Sequence, residues 1–312
     1  MSFFVFIRGL VSLMRPMEWS KSFANMVVAA ITAGIVFGIA LDPIKFAIGF
    51  AGIALLWSGL YALNDYTDRK ADALHPIKKA RAIPSGRVPA KVALVFSIAL
   101  VLIALAIGFF INGSFLYLLC LFIMLVNQIL YTMKPFNFKK RPVLDLISGS
   151  LVNPVFRFYA GWTLFVPAFN APILALIFIL GLQFGGYGLY RVSSTKHDKQ
   201  MNYKSSVVCF PERKLRWICY IVLLAGGIAY LLLCTNSFFW QWLPGLRFFG
   251  FWPHRFLLLG FLSLFSIPLY KPALRNPQES DMKKMYKILY FHNLLFIAGM
   301  IILYYTWIAK IF

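Results

Sequence analysis

Acidic side chains are scarce in this sequence: 10 Asp and Glu stand against 31 Lys and Arg among 312 residues. Charged residues of both signs make up only 13% of the chain, roughly half the share of a soluble domain. Cysteine is equally sparse. Cys120, Cys209, Cys219 and Cys234 are scattered with no Cys-x-x-Cys pair, which argues against a disulfide framework or a zinc centre. The four histidines, His75, His197, His254 and His292, lack metal-ligand spacing, and no Ser-His-Asp arrangement is evident. No short apolar run ending in a small-residue cleavage site opens the chain, so no removable signal peptide is expected.

Apolar side chains are what the sequence has in excess, at 61%. Apolar stretches long enough to cross a bilayer, about 17–25 residues, recur near 23–41, 44–63, 88–111, 114–131, 143–164, 172–190, 215–236, 254–270 and 287–308. The fold class expected is therefore an all-α polytopic membrane protein of about nine transmembrane helices. It reads as a single integral-membrane domain over 1–312, with a first half of about 1–142 and a second of about 143–312.

The net charge of +21 raises nucleic acid as a partner, but its distribution argues against one. Nearly all of the Lys and Arg fall in the amino-terminal segment and the loops after the second, fourth, sixth and eighth spans. Lys45, Arg247, Arg255 and Lys310 alone sit on the opposite side, and Arg157 lies inside the fifth span. By the positive-inside rule, the amino terminus and the even-numbered loops face the cytoplasm, and the excess cation meets anionic lipid. On the other side, the stretch 237–253, with Phe238, Trp240, Trp242, Phe249 and Trp252, reads as an interfacial aromatic belt.

Against this scarcity of acid, three of the ten carboxylates fall within eight positions. Residues 64–72 read Asn-Asp-Tyr-Thr-Asp-Arg-Lys-Ala-Asp, directly after the second apolar run. On a helix, Asp65, Asp68 and Asp72 at i, i+3 and i+7 share one face. At roughly 6 Å and an effective dielectric of about 20, each neighbouring pair costs about 3 kcal/mol, so the face needs a cation partner or an upward pKa shift. A hard divalent metal supplies such a cation. Lys78, Lys79 and Arg81 follow within about ten residues, and carboxylates with nearby cations suit a metal-bridged polyphosphate.

A weak internal repeat places a second polar segment four spans later. Superposing Asp72 on Asp198 sets Asp68 against Ser194, Asp65 against Arg191 and Lys78 against Lys204. Two four-helix halves with polar loops at matching places suggest a duplication around a central cavity, with the site between the repeats.

The chain resembles the UbiA superfamily of intramembrane prenyltransferases. Members carry Asn-Asp-x-x-Asp-x-x-x-Asp after the second helix, then a basic stretch ending Arg-Pro-[Ile/Leu]-x-Ser/Ala-Gly. Here the matches are Asn64, Asp65, Asp68 and Asp72, then Arg81, Ile83, Ser85 and Gly86, with Ala82 where Pro is usual. Arg15-Pro16 with Trp19 and Lys21, and the stretch Tyr131 to Pro142 containing Lys134, are further family-like pieces.

The resemblance implies transfer of an isoprenoid group from its diphosphate to an acceptor, in a lateral cavity open to lipid. Asp65, Asp68, Asp72 and Asp198 would be the catalytic carboxylates, holding Mg2+ on the diphosphate. Asn64, Lys78, Arg81, Lys134 and Tyr190 would contact substrate, and aromatic faces among Tyr61, Tyr66, Tyr187 and Tyr190 would shelter an allylic cation.

The family's second Asp-x-x-x-Asp is degenerate here, with Asp198 surviving beside Asn202 and Ser205, while Arg191, Lys196 and Lys204 are placed to touch phosphate directly. Two alternatives follow. The wording around Arg15 and His75 also resembles the polyprenyl-phosphate phosphoribosyltransferases, which would take phosphoribosyl diphosphate and a polyprenyl phosphate; a degenerate lipid-binding or transport protein is the other.

Charge inside hydrocarbon costs about 2.5–3.5 kcal/mol even on insertion scales, so Arg157 is read as a phosphate or acceptor contact. Asn25, Asn127 and Gln128 either line the same cavity or hydrogen-bond between helices.

Overall fold

The computed structural model describes residues 2–74, 78–111, 115–235, 252–276 and 282–310. Among these, every regular element is helical. Helix α1 (Phe3–Met14) ends where Arg15 takes a left-handed conformation (φ 49°), and a 3-10 turn at Pro16–Glu18 leads into α2 (Trp19–Phe37). The next helix, α3 (Pro43–Leu74), has 32 residues. At 1.5 Å per residue it is about 48 Å long, well beyond the roughly 30 Å hydrocarbon core. Its last turns therefore stand clear of the apolar layer, and they carry Asn64 to Asp72. The predicted span ended at 63; the structure carries the same helix through the whole acidic cluster.

Helices α4 (Ala90–Phe110) and α5 (Phe115–Thr132) complete the first half. The chain then enters α6 (Leu144–Leu146), a π-helical turn at Ile147–Val152, and α7 (Asn153–Thr163). Next come α8 (Ile173–Ser193), the short α9 (Thr195–Gln200) and α10 (Ser206–Cys209), and α11 (Glu212–Cys234). Helices α12 (Leu257–Arg275) and α13 (Met282–Ile308) follow.

Seven stretches among the described residues are long and apolar enough to cross a membrane: Phe3–Phe37, α3, α4, α5, α8, α11 and Lys287–Ile308. Nine were expected. The span at 143–164 is interrupted by the π turn, and within 254–270 the described apolar helix is the shorter His254–Leu264. Except for Trp252 and Pro253, the aromatic stretch 237–253 lies outside the described residues.

Helix α4 shows how the outer surface is built. Val95, Leu102 and Phe109, seven residues apart on one face, are all exposed, the reverse of a soluble amphipathic helix. Inside, glycine sets the closest approaches. A Cβ on Gly226 of α11 would lie 2.8 Å from Gly181 Cα on α8, and one on Gly161 of α7 would lie 2.5 Å from Met26 Cα on α2. One core cluster joins Trp57, Leu56, Tyr117 and Leu121 from α3 and α5. Another joins Val28 and Ile31 of α2 with Phe178, Tyr230, Trp252 and Met300.

Helix α1 was not foreseen as a separate element. Its Leu13 is buried with Ala62, Ile83 and Val88, while Phe3, Phe4 and Ile7 are exposed. This amphipathic packing sets Arg15 beside the acidic end of α3.

Candidate functional site

Two of the three clustered carboxylates are nearly sequestered: Asp65 is 4% exposed and Asp72 3%. Their repulsion is relieved by protein cations. Arg15 Nη2 lies 2.5 Å from Asp65 Oδ1. Arg81 Nη1 lies 3.1 Å from the same oxygen and 2.7 Å from Asp72 Oδ2. A single nitrogen thus touches both carboxylates. Asp68 turns to a different cation, with Lys139 Nζ 2.5 Å from its Oδ1. Arg15 adopts its positive φ at the α1 end, a strain of order 1–3 kcal/mol that tends to persist where the surroundings hold it for function. Asn64 accepts a hydrogen bond from Thr132 Oγ1 (3.1 Å), tying the start of the cluster to α5.

The second polar segment is built around an arginine. Arg191, at the end of α8, donates to Asp198 Oδ2 (2.6 Å) and lies 3.5 Å from the buried Asp145. Ser205 Oγ donates to the same Asp198 oxygen (2.6 Å). The Ser206 backbone N–H donates to Asp145 (3.1 Å), and so does its hydroxyl. Asp198 Oδ2 is therefore held from within its own segment, and the position that the repeat aligned with Asp65 supplies its counter-ion.

The two segments face each other across Lys78 and Tyr203. Burial and the neighbouring Arg81 push the Lys78 ammonium below the usual lysine value, and Asp72, Asp68 and Asp198 partly offset them. Burial pushes the Tyr203 hydroxyl up, and the same three carboxylates add to it. Lys140 stacks over the Tyr203 ring at 4.3 Å, which holds the segment after α5 against the segment after α9.

Other predicted contacts fall elsewhere. Lys134 and Lys196 are exposed, so among the cations after α5 it is Lys139 that reaches the cluster. Tyr190 packs beside Tyr187 (6.3 Å), whose hydroxyl meets that of Tyr131 (3.3 Å). Asn25 donates to Pro154 O (3.2 Å) and accepts from Gln183, a helix-to-helix role. Asn127 likewise bonds Ser148 O (3.0 Å) and Asn153 (2.8 Å), bracing the π turn. Arg157 is 5% exposed, with its guanidinium 4.0 Å from the Trp57 ring centroid. Asp145, twelve residues before Arg157, belongs to Arg191 and Ser206.

Residues 25–295 match the UbiA prenyltransferase family. The chain belongs to that family. Within it, the chain is 28% identical over 180 residues to a decaprenyl-phosphate phosphoribosyltransferase of Mycolicibacterium smegmatis, covering 54% of this chain and 55% of that one. It is 31% identical over 156 residues to a digeranylgeranylglyceryl phosphate synthase of Methanothrix thermoacetophila, covering 49% and 53%. These alignments span about half the length of the curated relatives. The fold is similar to that of a UbiA homolog from Archaeoglobus fulgidus solved with GPP and Mg2+, with a TM-score of 0.69 at 19% identity over 94% of this chain and 98% of that one.

Sequence reasoning did not place Arg15 and Lys139 in this UbiA-family site. Arg15 was visible in Arg15-Pro16, but its reach to Asp65 depends on α1 folding back along α3. Lys139 lies in the 3-10 turn at Phe138–Lys140, whereas Lys134 precedes that turn and is exposed.

Whether Mg2+ suits these residues rests on the donor set. Among the described residues, no three His, Cys, Asp or Glu side chains converge as a ready metal cage. Mg2+ does not need one, because it commonly takes one or two carboxylates and completes its shell with water and substrate phosphate. Asp65 and Asp72 already bring two carboxylate oxygens to one cationic nitrogen. The residues fit.

Proposed function

We propose that this protein is a Mg2+-dependent intramembrane transferase that moves an isoprenoid group from a polyprenyl diphosphate to an aromatic or lipid acceptor. The observation that carries this reading is the pairing of Asp65 and Asp72 with one Arg81 nitrogen at the emergent end of a membrane-length helix. Asp65, Asp68 and Asp72 would hold the metal, which neutralises charge on the departing diphosphate. Arg81, Lys139 and Lys78 would take the outer phosphate oxygens, so that charge developing on the leaving oxygen meets fixed donors. Asn64 would orient the first carboxylate through its tie to Thr132. Tyr61, under the Arg15 guanidinium at 5.1 Å, offers an aromatic face on the membrane side of the cluster. Asp198, Arg191 and Tyr190 would form the opposite wall.

The single domain over 1–312 and its two halves are part of the same proposal. So is the orientation, with the amino terminus and the motif segments on the cytoplasmic side, as the asymmetry of Lys and Arg supports.

A second reading is favoured by one observation: the second segment brings a single carboxylate, Asp198, whose Oδ2 is held by Arg191 and Ser205, where the first brings three. A donor bound through cations there would suit phosphoribosyl diphosphate, with a polyprenyl phosphate as acceptor, in line with the name of the Mycolicibacterium relative. Purified protein incubated with labelled geranylgeranyl diphosphate, or with labelled phosphoribosyl diphosphate, separates the two. Lipid-soluble product from the sugar donor alone overturns the first reading. No product from either, with diphosphate still bound, points to a degenerate binding or transport protein.

A further inference from the structure

The polar groups that the proposed reaction leaves unused lie deeper in the bundle, where α2, α3 and α7 meet. Three buried side-chain atoms there have no hydrogen-bond partner: Arg157 Nε, Trp57 Nε1 and Ser22 Oγ. Two of them are obligate donors, and the third is a hydroxyl free to donate. An acceptor placed there would satisfy all three.

The charge balance points the same way. Arg157 is 95% buried, and among the described residues it makes no salt bridge. Its guanidinium is supported by the Trp57 ring at 4.0 Å and also interacts with the Tyr61 side chain, which leaves Nε as its open donor. Glu18, the acidic residue at the start of α2, is occupied by Lys21 (2.6 Å) and the Tyr290 hydroxyl (2.6 Å). Ser22 shares a helix face with Asn25 and Met26, which touch α7 at Pro154 and Gly161. It thus belongs to the interface from which Arg157 projects.

Position separates these groups from the carboxylates. Trp57 precedes Asp65 by eight residues on α3, about 12 Å along the axis, further than one diphosphate spans. Tyr61 lies between, 5.6 Å from Trp57, under Arg15 on one side and in contact with Arg157 on the other.

We propose that Arg157, Trp57 and Ser22 form a second anion subsite, which takes the phosphomonoester headgroup of a lipid acceptor. This rests on the transferase reading above and adds the acceptor's chemical class to it. A lipid anion reaches such depth from the bilayer, and a phosphomonoester supplies the several acceptor oxygens that three donors require. The relatives described above suggest two carriers for that headgroup, a polyprenyl phosphate and a prenylglyceryl phosphate.

The test is equilibrium binding to the full chain in nanodiscs with chelator present and no diphosphate donor. The probes are labelled geranylgeranyl monophosphate and a labelled prenylglyceryl phosphate, with geranylgeraniol as the uncharged competitor. The expected result is that at least one lipid phosphate binds without Mg2+ and geranylgeraniol competes at least tenfold more weakly. Whichever phosphate binds more tightly identifies the carrier. Arg157→Met should weaken that binding about tenfold to a hundredfold, as for loss of a charge-assisted hydrogen bond. Trp57→Phe keeps an aromatic face under Arg157 while removing the Nε1 donor and part of the indole; it should weaken binding several-fold, and it answers the question if Arg157→Met does not fold.

Equal competition by geranylgeraniol, or unchanged binding in both variants, overturns the subsite. Asp68→Asn keeps the two claims apart. It should lose Mg2+-dependent diphosphate binding and keep monophosphate binding. Loss of both places the monophosphate at the carboxylates and refutes the subsite; loss of neither refutes the metal reading while the subsite stands.

Discussion

Replacing Arg81 by Ala should move two affinities in opposite directions. Its Nη1 lies 3.1 Å from Asp65 Oδ1 and 2.7 Å from Asp72 Oδ2, so those oxygens are less than about 6 Å apart. At an effective dielectric of about 20, two unit charges at that separation repel by about 3 kcal/mol. The Arg81 side chain is 29% exposed, so water replaces part of what it supplies, and a net of about 1–2 kcal/mol is the reasonable figure. Without Arg81 that repulsion is relieved only by Arg15 on the Asp65 side. A divalent cation would then gain roughly tenfold in affinity for the pair, since about 1.4 kcal/mol is a factor of ten.

The diphosphate changes the other way. It loses a fixed donor for its outer oxygens, and its binding in the presence of Mg2+ should weaken by about tenfold or more. Manganese titration followed by electron paramagnetic resonance reads the first quantity on protein in nanodiscs, and labelled diphosphate binding reads the second. Unchanged Mn2+ affinity together with unchanged diphosphate binding would show Arg81 to be a structural counter-ion only, and would sink the reasoning.

The other outcomes are simpler to state. Asp68→Asn should abolish turnover while leaving the thermal unfolding midpoint within a few degrees of the parent, and full activity there would remove the metal assignment. Lys78 carries a depressed pKa, so its positive charge is lost as pH rises through a value below that of an ordinary lysine. Diphosphate affinity should fall on that alkaline limb, and Lys78→Arg, which stays protonated, should keep affinity there; a limb identical in both proteins excludes Lys78 as the source. Gly161→Val places a side chain against the α2 backbone, where the Cβ alone would stand 2.5 Å from Met26 Cα. Overpacking of this kind costs about 1–3 kcal/mol, to be read as a lowered midpoint in detergent, and an unchanged midpoint would contradict the α2–α7 packing.

The parts that could be read in advance share one property: they depend on short-range periodicity. Asp65, Asp68 and Asp72 were placed on one helix face from spacing alone, and α3 carries all three. The membrane class followed from composition, and most span positions followed from runs of apolar residues. What escaped depends on contacts between distant segments. Helix α1 was not among the expected spans, and its place emerges only where its Leu13 meets Ile83 and Val88. Lys134 and Lys139 are indistinguishable as letters, and only the fold sends one to solvent and the other to Asp68. The π turn has no composition signal of its own; it is held by Asn127, twenty-one residues before Ser148. Asp198 was aligned with Asp72 as a surviving metal ligand, and the sequence could not show that Arg191 would claim it.

That capture of Asp198 bears on how the site would work. Around α3, three carboxylates meet Arg15, Arg81 and Lys139, so the local charge is near balance without substrate. A diphosphate arriving with a divalent metal brings nearly balanced charge of its own. On the proposed reading, Asp65, Asp68 and Asp72 would hold the metal while Arg81 and Lys139 would turn to phosphate, with little net charge moved into the low-dielectric end of the bundle. The α8–α9 wall has no such freedom, because Arg191 is shared between Asp198 and the buried Asp145. A rigid wall opposite an exchangeable one orients a diphosphate in one direction only, with its organic group toward Tyr61 and the membrane interior. On this argument, freeing Asp198 by Arg191→Met would add a carboxylate to the site and still weaken substrate binding.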